Sequence, residues 1–197
     1  MKKPGGGEGD EPASLGRPGA IARRACGTEN PRSGSRVQSD MNSASEKIGA
    51  RLIFKGQCHC GAIGVELMSD RAPAEQALGA CQCAFCRKHN ARAFSDPKAH
   101  VTLTAVDPEQ LQRYMFGLRT SEQIICRRCG VYVAMTLMDG DRVWSVINVD
   151  TLEDRVRFTR APEARDYSAE DRERRVARRK ARWCPTTLIG WPALAPR

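Results

Sequence analysis

Nowhere do these 197 residues hold an apolar run close to the roughly 18 uninterrupted residues that a membrane-spanning helix needs. The opening, MKKPGGGEGDEP, lacks an apolar segment that would act as a secretory signal, and no internal repeat is present. These absences predict a cytoplasmic protein with no membrane partner. A surplus of one charge is also missing where it would matter. The chain carries a formal +9, but residues 1–40 hold seven Lys/Arg against five Asp/Glu and residues 160–197 hold ten against five, leaving only +2 for residues 41–159. A nucleic-acid binder usually concentrates positive charge on its folded body. Contact with nucleic acid or another acidic partner is therefore expected only through the basic tail, if at all. With 41% hydrophobic and 28% charged residues the chain is neither wholly disordered nor fibrous, and its length suits one domain with tails.

What the sequence does have is cysteine, nine residues in all. Cys58 and Cys60 form a C-x-C, Cys81, Cys83 and Cys86 a C-x-C-x-x-C, and Cys126 and Cys129 a C-x-x-C, while Cys26 and Cys184 stand alone. Clustered thiols at such spacing in a reducing compartment read as metal ligands rather than disulfides.

Residues 1–40 contain eight Gly and four Pro and no sustained apolar period, so they cannot repay the entropy of ordering. Residues 1–47 are read as a disordered leader. Met41 opens MNSASEKIGARLIFKGQCHCG, which reads as a natural start, so the leader is consistent with an upstream mis-start. A zinc-binding β domain is expected over 48–159 and a basic helical extension over 160–197. Short alternating apolar runs predict strands at Arg51–Lys55, Ala62–Met68, Val101–Thr104, Leu111–Phe116, Gln123–Ile125, Val131–Leu137 and Val143–Val149. The last two flank Met138-Asp139-Gly140-Asp141 and form the clearest hairpin. Ser168 reads as an N-cap for a helix over Ala169–Arg182, with Glu170/Arg174 and Asp171/Arg175 as i,i+4 pairs. Its seven Lys/Arg suit a solvated face or a surface for an acidic partner. The fold class is thus mainly β, small antiparallel sheets with zinc-binding turns, plus a C-terminal basic helix.

Zinc takes four ligands in a tetrahedron, so seven clustered thiols divide as four and three. Cys126-Arg127-Arg128-Cys129-Gly130 is a strong half-site, because its glycine allows the sharp turn behind the sulfurs. Cys81, Cys83 and Cys86 can converge locally on one ion, leaving Cys58 and Cys60 to complete the other site. Spacing alone also permits Cys83/Cys86 with Cys126/Cys129, although the 39-residue gap exceeds the usual ribbon interval. His89 has three readings: a fourth ligand of the second site, a proton-transfer group beside it, or an ordinary surface histidine.

From Gly56 to Asp154 the sequence resembles the glutathione-dependent formaldehyde-activating (GFA) family, which includes the centromere protein V domain. The resemblance is carried by Gly56-Gln57-Cys58-His59-Cys60-Gly61, by Cys81-Gln82-Cys83-Ala84-Phe85-Cys86-Arg87-Lys88-His89 and by Ser95-Asp96-Pro97. Tyr114 with Phe116, Cys126 to Gly130 and Val146-Ile147-Asn148-Val149 extend it. It implies a β-tent of antiparallel sheets and two zinc ions per chain. One would be structural on Cys58, Cys60, Cys126 and Cys129; the other would sit on Cys81, Cys83 and Cys86. Asn90 replaces a glycine common in relatives, and asparagine is the non-glycine residue that best tolerates a left-handed backbone. Ala84 replaces a common serine and removes a hydroxyl near the metal.

Three thiolates leave a zinc complex with a formal negative charge, which makes it a poor activator of water and a better holder of a substrate thiolate. The resemblance implies a zinc-dependent carbon–sulfur lyase-type reaction between a small thiol such as glutathione and an aldehyde such as formaldehyde, and an open three-thiolate site suits it. His89 is the candidate catalytic residue. Arg87, Lys88 and Arg92 are candidates for binding the thiol's carboxylates, against the alternative of a solvated basic loop. The competing function is a non-catalytic zinc-stabilised module that contacts protein or nucleic acid through its basic tail.

Overall fold

A computed structural model of the chain describes residues 51–192 together with the backbone of a short strand, β1 (Lys47–Ile48). The leader expected over residues 1–47, Cys26 and the choice of Met41 as a start lie outside the described residues, Lys47 apart. The elements that follow are β2 (Arg51–Gln57), β3 (Ile63–Ser69), β4 (Leu78–Cys81), α1 (Ala84–Lys88), β5 (Ala93–Phe94), β6 (His100–Ala105) and β7 (Leu111–Tyr114). Then come β8 (Glu122–Cys126), β9 (Tyr132–Asp139), β10 (Arg142–Asn148), β11 (Glu163–Arg165), α2 (Arg172–Arg182) and β12 (Cys184–Ile189). The protein is mainly β, as the alternating runs predict. Among the described residues no helix is long and apolar enough to cross a membrane.

One sheet path runs β1-β2-β3-β6-β12-β10-β5-β4-β11, and β9, β8 and β7 branch from β10. In β3 the buried residues alternate as Ile63, Val65, Leu67 and Ser69, and Val101, Leu103 and Ala105 do the same in β6. Period-two burial is what one covered face demands. These faces enclose Phe54, Phe94, Phe158, Ile124 and Ile147, with Phe54 edge-on to Phe158 at a centroid distance of 5.5 Å. The β9–β10 hairpin pairs Asp139 with Arg142 across Gly140-Asp141, and Gly140 has φ 56°. A glycine with positive φ at the first central position suits a two-residue loop that follows the strands' twist.

The C-terminal stretch differs from the expected helical extension, because it also contributes β12. Thr186–Ile189 run parallel to β6, while Trp144 and Ser145 of β10 pair antiparallel with Pro185 and Cys184, so β12 links the two halves of the sheet. Pro185, which lacks an N–H for the ladder, masks this strand in the sequence. β11 likewise runs parallel to β4. Both parallel strands arrive after long connections, the condition that parallel pairing requires and a hairpin does not. Thr186 and Ser145 hydroxyls are 2.7 Å apart, and the Trp191 indole donates to the Leu103 carbonyl at 3.0 Å, holding the segment after β12 onto β6.

The start of α2 also differs. Asp171, not Ser168, is the N-cap, its carboxylate accepting the Arg174 amide at 2.8 Å. Glu170 is not the first-turn residue expected. Its carboxylate turns to Arg178, with contacts of 2.5 and 2.9 Å, and to Arg175 at 3.5 Å, while Asp171 pairs with Arg174. Two arginines on one face hold Glu170 more strongly than the single Arg174 partner predicted from spacing.

Candidate metal centres

The turn between β2 and β3 and the turn between β8 and β9 are built alike. In the first, the Cys58 amide donates to the Ile63 carbonyl at 2.8 Å and the Gly61 amide to the Cys58 carbonyl at 3.0 Å; in the second, Cys126 donates to Val131 at 3.0 Å and Gly130 to Cys126 at 2.8 Å. Gly61 and Gly130 have φ of 77° and 73°, the left-handed backbone that glycine adopts without a Cβ penalty. A register shift at Ile124/Ile125, immediately before Cys126, re-aims the end of β8 toward the facing turn. The result brings Cys58, Cys60, Cys126 and Cys129 together with every sulfur within 4.8 Å of the others.

The donor set and its spacing fit zinc. Four zinc–sulfur bonds of about 2.3 Å in a tetrahedron place sulfurs ~3.8 Å apart, and Cys58–Cys60 and Cys60–Cys126 are separated by 3.7 and 3.5 Å. Burial raises the Cys58 thiol pKa and pushes Cys126 up to about 12. Burial opposes ionisation of Cys129 too, but amide hydrogen bonds from Val131 and Cys60 outweigh it and pull the thiol down to about 6. Four such thiols cannot all ionise side by side without a cation, and a soft divalent ion removes the conflict.

The second cluster is local. Cys81 ends β4, Cys83 caps α1 with its sulfur 3.5 Å from the Cys86 amide, and Cys86 is buried in the helix. Their sulfurs also lie within 4.8 Å of one another. Cys81 is lowered to about 6 by the Cys86 thiol that bonds to it, and Cys86 is correspondingly raised. The turn after α1 needs a left-handed residue, and Asn90 supplies it with φ 46°. Cys184 belongs to neither cluster: its buried sulfur accepts the Asp96 amide at 3.3 Å, and burial pushes its thiol up to about 12.

The two clusters thus divide as four and three, and the ribbon-like alternative joining Cys83/Cys86 to Cys126/Cys129 does not form. His89 is not part of the three-sulfur group. It is exposed, with its ring 4.4 Å from Phe85 and 5.4 Å from Tyr132. Tyr114 and Phe116 stack with Phe85 at 5.9 and 5.5 Å, so an aromatic wall stands on α1 beside the cluster. Burial raises the Tyr132 phenol pKa well above its usual value, with the nearby cysteines adding to the effect. Arg87 and Lys88 are exposed on the last turn of α1. Arg92 is already engaged: it contacts Asp150 at 2.6 Å and donates to the carbonyls of Phe158 and Arg155.

The cations that line the cavity beside the three-cysteine cluster come from elsewhere in the chain. A cavity of about 120 Å³ is lined by Cys81, Cys86 and Tyr132 together with Arg165, Arg178 and Arg179. None of these arginines was singled out by spacing near the cysteines, since they lie far along the chain. The available signal was the period of Arg175, Arg178, Arg179 and Arg182, which marks one helical face. Arg179 is 8% exposed, and burial followed by repulsion from Arg178 and Arg175 lowers its pKa to about 10.

Glu170 steadies this face. Hydrogen bonding from Arg178 holds its carboxyl below the usual range. A lowered folded pKa contributes stability that is present above the unfolded pKa and lost as pH falls through the folded value. Urea midpoints are therefore expected to drop less between neutral and strongly acid solution for Glu170→Gln than for the wild type. Equal drops would remove Glu170 from the acid response.

A family model described as glutathione-dependent formaldehyde-activating enzyme matches residues 53–170. Among solved structures, the crystal structure of a Rhodobacter sphaeroides protein is 32% identical; the similarity covers 50% of this chain and 87% of that one, with a TM-score of 0.37. Three differently spaced cysteine motifs, brought together as a four-sulfur and a three-sulfur group inside the matched span, agree with that assignment: the chain belongs to the glutathione-dependent formaldehyde-activating (GFA) family.

Proposed function

We propose that this chain is a zinc-dependent enzyme that joins a small thiol of the glutathione type to formaldehyde, or runs the reverse carbon–sulfur cleavage. The observation that carries the reading is the asymmetry of the two cysteine groups. Cys58, Cys60, Cys126 and Cys129 form a complete donor set, whereas Cys81, Cys83 and Cys86 supply three donors beside a cavity. A closed four-ligand set is structural, and a three-ligand set leaves a position for substrate.

Zinc on the three cysteines would supply a Lewis-acid position that keeps a coordinated substrate thiol ionised at neutral pH. The chain's own residues do the rest. Phe85, between Cys83 and Cys86, packs with Tyr114 and Phe116 and gives the site an apolar aromatic neighbour. In the forward direction the thiolate sulfur bonds to the formaldehyde carbon, the carbonyl π bond opens, and the oxygen takes a proton. His89, in contact with Phe85 and Tyr132, is assigned that proton transfer.

Cobalt in place of zinc makes the site visible. Glutathione is expected to change the cobalt–thiolate absorption of the wild type, and the change is expected to vanish in Cys83→Ala. If glutathione, cysteine and simple thiols all leave the spectrum untouched, the thiol reading fails. Formaldehyde must then consume glutathione faster with the zinc protein than without it; an unchanged rate would leave a thiol-binding module and not an enzyme.

A further inference from the structure

Helix α2 starts at Arg172, beyond the residues matched by the family model, and it covers the three-cysteine cluster with arginine. Positions i, i+3, i+4 and i+7 fall on one face of a helix and are usually apolar where that face is covered. Here they are Arg175, Arg178, Arg179 and Arg182. The last three line the cavity with Cys81 and Cys86, Arg165 of β11 joins them, and no carboxylate is among the described lining residues.

The surrounding acids satisfy only part of this arginine cluster. Glu170 is taken up by Arg178, which also stacks on Tyr167 at 3.7 Å. Arg179 donates to the Thr120 hydroxyl at 2.5 Å and lies over Trp183, yet its buried Nε has no hydrogen-bond partner. Arg165 reaches Glu163 through one terminal nitrogen, and its own buried Nε, packed over Gly79, is also without a partner. A buried guanidinium N–H with no acceptor is costly, and the planar donor fork of arginine matches a carboxylate.

We propose that this cavity is a carboxylate subsite, in which Arg165 and Arg179 select a thiol substrate that carries an acid group, with Arg178 held in place by Glu170 as their support. The proposal rests on the reading of Cys81, Cys83 and Cys86 as the thiol site, and it adds the residues that recognise the acid group of a glutathione-type thiol, so that a thiol without a carboxylate is bound more weakly. Sulfur and acid group are recognised by separate parts of the chain.

Calorimetric titration of the metal-loaded protein with glutathione, its dimethyl ester and S-methylglutathione separates the two recognition elements. Masking both carboxylates is expected to weaken binding to the wild type at least about ten-fold. Arg165→Gln should lose about the same factor toward glutathione and leave the ester's affinity unchanged. This contrast corrects for the ester's altered charge, which any positive surface would sense. Arg179→Gln should behave alike; because Arg179 is buried, the half-buried Arg165 serves where that variant does not fold. An ester that binds the wild type as tightly as glutathione, or an Arg165 variant that loses both ligands equally, overturns the carboxylate subsite. S-methylglutathione binding as tightly as glutathione overturns the thiol site and leaves the carboxylate subsite standing. Absence of binding by all three overturns both.

Discussion

Cys58→Ala and Cys126→Ala are expected to abolish folding, whereas Cys83→Ala is expected to leave a folded protein with one metal ion fewer. The four-sulfur group joins two turns that lie far apart in the chain: one follows β2, the other follows β8, and both Cys58 and Cys126 are fully buried. Structural zinc contributes an apparent ~10–16 kcal/mol in finger peptides, and a whole domain is usually stable by only about 5–15 kcal/mol. Losing one ligand of the closed set therefore removes an amount comparable to the entire stability. Cys83 differs because its sulfur lies within a single local segment from β4 to α1, and the sheet on either side is held by other contacts. Circular dichroism with metal analysis checks the contrast. Equal loss of fold from all three variants would contradict the division into a structural and an open site.

Gly56→Ala is expected to destabilise the protein by about 3 kcal/mol or more, at the upper end of what overpacking costs. A Cβ there would lie 2.2 Å from the Thr151 carbonyl oxygen and 2.5 Å from the Leu152 Cα, both backbone atoms. Neither side can yield easily. Gly56 is paired to Val65 inside the β2–β3 ladder and bridges to Leu152, while the Thr151 hydroxyl donates to the Asn148 carbonyl at 2.7 Å and the Glu153 amide to Lys55 at 3.0 Å. Since Gly56 lies two residues before Cys58, strain in β2 reaches the four-sulfur group. A lowered urea midpoint with easier metal loss to a chelator is the expected result. An unchanged midpoint would show that the Thr151–Leu152 segment can move away.

The strands and turns that position the cysteines were legible because their signals are local. Alternation of Ile63, Val65 and Leu67, or the glycine behind Cys126 and Cys129, is written in consecutive residues, and a two-residue half-site needs only one turn to form. Asn90 is read correctly for the same reason: a left-handed turn depends on the residue that occupies it. β12 was not legible. Pro185 breaks the local pattern, and the strand exists because β6 and β10 offer edges on both sides. Arg92 looked free beside Cys86 in the sequence, yet Asp150, reached only after the chain has crossed the sheet, takes its guanidinium.

By itself the sequence determined that the protein is mainly β, that seven of its nine cysteines act in clusters, and that those clusters divide as four and three. The tertiary structure decided which half-sites meet, by bringing Cys58 and Cys60 to Cys126 and Cys129. It also decided which cations face the three-cysteine cavity, bringing Arg165, Arg178 and Arg179 there and leaving Arg87 and Lys88 on the exposed turn of α1. The reason is that ligand spacing and strand period are set by bond geometry within a few residues. The meeting of distant segments is set by which faces must be buried together, and that is a property of the whole packed chain.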